Sequence, residues 1–161
     1  MPPSQPITFD PIGTVHNVYP QGQKPPTWKG TLSQIEIDPR WTEGLEGLEE
    51  YSHLSVLCYL HLMQEQEPVM KIRAQRHPQM PQVGFFCTRT PLRPNPISLT
   101  VVQLVERVDN VLHVRNLDMY DGTAVLDVKP YLIRGDCQPQ ATAPEWMHRL
   151  WAIHDEQRKN A

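Results

Sequence analysis

Apolar and polar positions alternate in short runs along most of this chain and change to a helical spacing only near its end. Thr31 to Ile37 puts Ile35 and Ile37 on one face and Gln34 and Glu36 on the other, with Leu32 out of step, which predicts a strand. Tyr51 to Leu62 is the clearest apolar run, and its Leu, Val and Tyr content predicts a central strand. Similar signals predict strands over Val69–Ala74, Val83–Thr88, Ile97–Val108, Val111–Leu117 and Val125–Leu132, with turns at Asp109-Asn110 and Asp121-Gly122. Ile7 to Tyr19 reads as extended, Pro20 to Gly30 as a polar loop, and Trp41 to Glu50 as a helical turn or loop. After Pro144, the residues Trp146, Met147, Leu150, Trp151, Ile153 and His154 recur every three or four positions and predict an amphipathic helix to about Lys159. The fold class expected is mainly β: a barrel or sandwich closed by a terminal helix.

Composition sharpens this picture. The 161 residues fit one domain, expected as a loose tail over 1–6, a β domain over 7–135, and a linker and helix over 136–161 that pack on it. Proline accounts for 17 residues, about twice the usual ~5%, which excludes a fold made mostly of long helices. Fifteen basic and 18 acidic residues give a net charge of −3, so an anion site has to be a local patch. No apolar run approaches the ~20 residues of a membrane-spanning helix, and residues 1–6 show no leader pattern, which predicts a cytoplasmic protein. Cys58, Cys87 and Cys137 are widely spaced and read as reduced and structural.

Three segments carry candidate chemistry. In Gly84 to Thr100 (GFFCTRTPLRPNPISLT), prolines restrict the backbone of Arg93 and Asn95, and Arg89 adds a second guanidinium. This is either an anion-holding loop or a rigid turn whose arginines pair locally. Leu117 to Leu132 (LDMYDGTAVLDVKPYL) sets Asp118 and Asp121 around a tight turn, while Asp127 and Lys129 lie on one strand face and are spaced to pair. Lys71, Arg73, Arg76, Arg89 and Arg93 place five of the 15 basic residues in one short stretch, which suits a phosphate backbone or a solvated face equally. His53 and His61 would stand roughly 26 Å apart on a straight strand, so no metal site is expected. Glycine-rich nucleotide fingerprints are absent from the sequence, and Trp28, between Lys24 and Lys29, is the tryptophan placed to stack on a base.

The blocks IGTVHNVY, EGLEEYSHLSVL, GFFCTRTPLRPNPISLT and LDMYDGTAVLDVKPYL occur in this order over Ile7 to Leu132. Together they resemble the TsaA-like (YaeB-like) family of S-adenosylmethionine-dependent tRNA adenine N6-methyltransferases. The resemblance implies a compact single-sheet β-barrel, a homodimer, and methyl transfer to N6 of a threonylcarbamoyl-modified adenosine beside the tRNA anticodon. It implies a cofactor pocket lined by His61, Leu62, Arg89, Val102, Asp118, Met119, Tyr120 and Asp121, with the Lys24–Thr27 loop reaching it. Asp121, Arg93 and Asn95 are the expected catalytic residues, with Asp121 the candidate base. Lys71, Arg73, Arg76, Arg93, Asn95, Lys129 and Tyr131 are the expected contacts to tRNA. Ser98 stands where the family has glycine; a positive φ there would displace the loop end. Longer bacterial members carry a C-terminal extension. A non-catalytic nucleotide- or RNA-binding module and a small-molecule methyltransferase are the rival readings.

Overall fold

The computed structural model describes residues 7–67 and 69–159, and the expected tail over 1–6 lies outside them. The described chain divides into two compact units. The first, Met1–Gln64 with Pro96–Leu132, is a closed antiparallel barrel. Its strands are β1 (Gly13–His16), β2 (Leu32–Ile37), β3 (His53–Tyr59), β6 (Ile97–Val108), β7 (Val111–Arg115) and β8 (Ala124–Pro130), arranged β1-β2-β7-β6-β3-β8 and back to β1. The second, Glu65–Asn95 with Ile133–Ala161, holds the two-stranded ladder of β4 (Lys71–Arg73) and β5 (Gln82–Gly84), the short helix α1 (Ile133–Asp136) and the helix α2 (Glu145–Lys159).

The alternation read from the sequence fills the barrel. Ile35 and Ile37 on β2, Leu54, Val56 and Cys58 on β3, Val102 on β6, and Leu112 and Val114 on β7 all point inward and are almost fully buried. Each such Leu, Ile or Val contributes roughly 1.5–3 kcal/mol by leaving water. The 12-residue β6 carries a register shift between Leu104 and Glu106, and only its Val102 and Leu104 enter the core, while Ile97, Leu99, Val101, Val105 and Val108 are exposed. Between β2 and β3 the chain makes two 3₁₀ turns, Pro39–Leu45 and Leu48–Glu50, the first capped by the Asp38 carboxylate accepting from Arg40 N–H. Leu45 and Leu48 join the core there, and Glu49 pairs with Arg107 at 3.2 Å. Backbone N–H groups, and then Arg107, hold the Glu49 carboxyl below its ordinary value.

Several expectations are revised. Tyr51 to Leu62 yields a strand only over β3: Leu60 N–H still bonds Pro96 O at 2.7 Å, but Pro96 has no N–H to return the bond, and a 3₁₀ turn follows over His61–Met63. Val83 to Thr88 yields only β5, since Phe85 N–H bonds Met70 O at 3.3 Å and a 3₁₀ turn follows. Residues 65–95 and α2 fall together in the second unit. Leu150 of α2 is buried with Ala74 and Met80, and Trp146, Met147 and Ile153 pack around it. Trp151, one residue beyond Leu150 and so about 100° around the helix, is half exposed. Ser98 lies in the regular β3–β6 ladder opposite Cys58 and outside the left-handed region, so serine fits there without displacing the loop.

Cys58 is the buried cysteine among three free ones; Cys87 and Cys137 are exposed. Burial pushes its thiol up to about 12, against a smaller opposing effect from the Ser98 hydroxyl. The folded state therefore keeps a proton that the unfolded chain loses above its ordinary value of 9.0, so stability is full below about 9 and falls as pH rises toward 12. Denaturant titrations should show this alkaline limb disappear in Cys58→Val, and a thiol reagent should label Cys87 and Cys137 in the native protein while sparing Cys58. Leu54→Ala, which empties a fully buried position, should cost about 2–5 kcal/mol in urea unfolding. Val105→Ala, on the exposed face of β6, should stay within about 0.5 kcal/mol.

Candidate functional site

Strand direction sorts the barrel loops into two ends. The end of β1, the start of β2, the end of β7, the start of β8, the end of β3 and the start of β6 meet at one of them, as the pairings His16↔Gln34, Leu32↔Arg115, Tyr59↔Ile97 and Tyr59↔Ala124 require. Residues 17–31, 60–64, 96–100 and 116–123 therefore converge there. This end holds His61, Asp118, Met119, Tyr120, Asp121 and the Lys24–Thr27 loop, which the sequence scattered over a hundred positions.

Asn17 ties the end together. Its backbone N–H donates to Asp121 Oδ1 at 3.0 Å, and its side-chain amide donates to Ser33 Oγ at 3.1 Å and Met119 O at 2.9 Å. Its Oδ1 accepts from Tyr19 N–H at 2.9 Å, and Asp121 N–H returns to Tyr19 O at 2.8 Å. Asp121 thus sits on a fixed backbone, with His16 Nδ1 3.8 Å from its carboxylate and His16 Nε2 3.1 Å from Glu36. Asn17 was missed in the sequence: the Asn-x-Tyr turn is visible there, but its partners a hundred residues away are not.

Three aromatic rings line the same end. Trp28 meets Tyr19 edge-on at 5.4 Å and Tyr120 at 5.9 Å. Gln21 Nε2 lies 2.8 Å from His61 Nε2, so the 17–31 loop is pinned to the turn after β3 as well. The Thr100 hydroxyl donates to the Asp118 carboxylate. Beneath them, Ser98 Oγ lies 3.4 Å from Cys58 O and 3.7 Å from Met119 Sδ. Exposed carboxylates, an imidazole and aromatic faces on a rigid rim are a donor set suited to ribose hydroxyls and a purine.

The other expected site residues separate. Val102 is completely buried in the barrel and Met119 nearly so, which leaves their side chains to the core, whereas Leu62 is exposed at the rim. Lys129 and Tyr131 run toward the opposite end: Tyr131 N–H bonds His53 O, and seven residues of β8 from Ala124 span roughly 20 Å. Lys129 pairs with Asp127 at 2.6 Å, the local ion pair that the spacing allowed. Lys71, Arg73, Arg89, Arg93 and Asn95 belong to the second unit. Arg73 there is structural, its guanidinium donating to Pro78 O and Met80 O. Arg93 donates to Thr88 O at 2.8 Å, while Arg89 and Asn95 are exposed. The side chain of Arg76 lies outside the described residues. Among the described residues no cluster of His, Cys, Asp and Glu has the makings of a metal site.

Comparison with known proteins bears on this end of the barrel. Residues 14–137 match the family model for the tRNA-methyltransferase O N-terminal domain. A probable S-adenosyl-L-methionine-binding protein of Pyrococcus abyssi is 34% identical, over 94% of this chain and 84% of its own length. The tRNA (adenine(37)-N6)-methyltransferase of Escherichia coli is 32% identical, over 84% of this chain and 62% of its own. The crystal structure of TrmO from Pseudomonas aeruginosa superposes with a TM-score of 0.69 at 27% identity, covering 88% of this chain and 63% of that one. The chain thus spans less than two thirds of these last two proteins. With the matched segment running from Thr14 in β1 to Cys137, over most of the chain, this chain belongs to the tRNA-methyltransferase O N-terminal domain family.

Proposed function

We propose that this chain is an S-adenosylmethionine-dependent methyltransferase that modifies N6 of a threonylcarbamoyl-modified adenosine beside the tRNA anticodon, working as a homodimer. The observation that carries this reading is the convergence of Asp118, Asp121, His61 and the Tyr19–Trp28–Tyr120 rings on one barrel end, inside the segment that matches the family. The relative from Escherichia coli is named a tRNA (adenine(37)-N6)-methyltransferase, and several others are named for binding S-adenosyl-L-methionine. The exposed apolar strip of Ile97, Leu99 and Val101 on β6 supports a subunit interface.

The groups at this barrel end fit the methyl carrier. The Asp118 carboxylate suits its ribose hydroxyls, and the aromatic rim suits its purine. When bound, that group supplies a methyl on a positively charged sulfur. Because this charge falls as the methyl leaves, an anion held against the sulfur would favour the ground state, so the protein's contribution is positioning and exclusion of water. The Asn17 junction supplies the positioning by fixing Asp121 through three segments. Asp121 is the group that takes the proton released by the attacking nitrogen. The alternative of a binding module without catalysis shares the same rim, and relatives named only for S-adenosyl-L-methionine binding favour it.

Two measurements test this reading. Calorimetric titration should show S-adenosylmethionine binding to both the parent protein and Asp121→Asn. Mass spectrometry of tRNA nucleosides should show methylation by the parent and a rate lower by about 10²–10⁴-fold in the variant. Parental turnover in Asp121→Asn removes the base, and binding without any methylation leaves the module. Affinity for tRNA should fall steeply as salt rises, and Lys71→Ala and Arg89→Ala should each lower the slope of log K against log salt by about 1.

A further inference from the structure

We propose that Phe86 is a stacking platform for an unstacked base of the RNA substrate, with Arg93 fixing the ring and Lys71 and Arg89 supplying charge for the adjoining phosphates. This rests on the RNA reading above and adds a residue that the motif analysis left without a role. Phe86 is 77% exposed, more than any other described aromatic side chain. Its neighbour Phe85 is buried at 5%, and the two ring centroids lie 4.1 Å apart. The Arg93 guanidinium carbon lies 5.5 Å from the Phe86 ring and 5.7 Å from that of Phe85. Arg93 is itself anchored, donating to Thr88 O at 2.8 Å.

An exposed phenyl ring held by two neighbours has already lost much of its rotamer freedom, so a planar ligand meets a preorganised surface. The chemistry of the surroundings selects among planar ligands. Lys71 pairs with Gly84 in the ladder that leads into the Phe85–Cys87 turn, and Arg89 follows that turn. Both are exposed, and neither forms an ion pair among the described residues. Cations beside an aromatic face are the arrangement by which single-stranded nucleic acid is gripped without sequence reading. An apolar protein partner would need apolar area alone, and leucine supplies that as well as phenylalanine does.

The test titrates an unmodified anticodon stem-loop RNA, with adenosine following the anticodon, into the parent, Phe86→Ala, Phe86→Leu and Phe86→Tyr. S-adenosylmethionine affinity and melting temperature are measured on the same samples. RNA affinity should fall roughly 5- to 150-fold in the alanine and leucine variants and return in Phe86→Tyr, with the other two readouts unchanged. RNA binding at parental strength by Phe86→Leu or Phe86→Ala overturns the proposal, as does a parallel loss of S-adenosylmethionine affinity or a tyrosine variant no better than alanine. A parent protein that binds no RNA overturns both this proposal and the RNA reading, whereas a binding parent with indifferent variants overturns this proposal alone.

Discussion

The barrel depends on a seam that is barely long enough to close it. β1 has four residues, and its ladder with β8 comprises two pairs, Gly13↔Val125 and Thr14↔Ala124. A Cβ at position 13 would stand 2.4 Å from the Glu36 carbonyl oxygen, so only glycine lets β1 lie against β2 while it reaches β8. Closure is completed by bonds outside the ladder, from Ile12 N–H to Val125 O, Val15 N–H to Thr123 O and Gly122 N–H to Val15 O. Opened at this seam, the sheet would expose two unpaired edges and its apolar interior.

The same seam builds the site. Where β1 runs out, Asn17 takes over from the ladder and carries the contact between the two strands into the loops, through Asp121, Met119 and Ser33. A rigid rim of this kind is costly to make from loops alone, because each fixed residue gives up roughly 1–2 kcal/mol of backbone entropy. Here the closure of the core already requires most of that ordering. The acidic turn and the 17–31 loop inherit their geometry from a contact that the fold needs in any case.

The sequence made the long strands and the helix legible because period and burial agree there: β2 alternates in step with its neighbours, and β6 begins and ends where the pattern does. It missed what period cannot encode. Three-residue strands such as β4 and β5 leave too few positions to show alternation, and the partner of α2 is a tertiary choice among several apolar surfaces. A period of two also tells which face a residue takes but not which end of a barrel it approaches. That is why Asp121 landed at the rim while Lys129 and Tyr131, read from the same motif, run away from it. Val102 is the complementary case: its place in an apolar strand makes it a core position first.

In the proposed reaction Asp121 serves closure and chemistry together. Its described contacts, to Asn17 N–H at 3.0 Å and His16 Nδ1 at 3.8 Å, both fall on Oδ1. The first needs only an acceptor, which an amide oxygen provides as well as a carboxylate oxygen does. Oδ2 is the atom whose basicity the proposed reaction uses, and the one that an amide nitrogen would replace. The structural and chemical demands on this residue therefore divide between its two oxygens, and a change that keeps the first while removing the second separates the fold from the reaction.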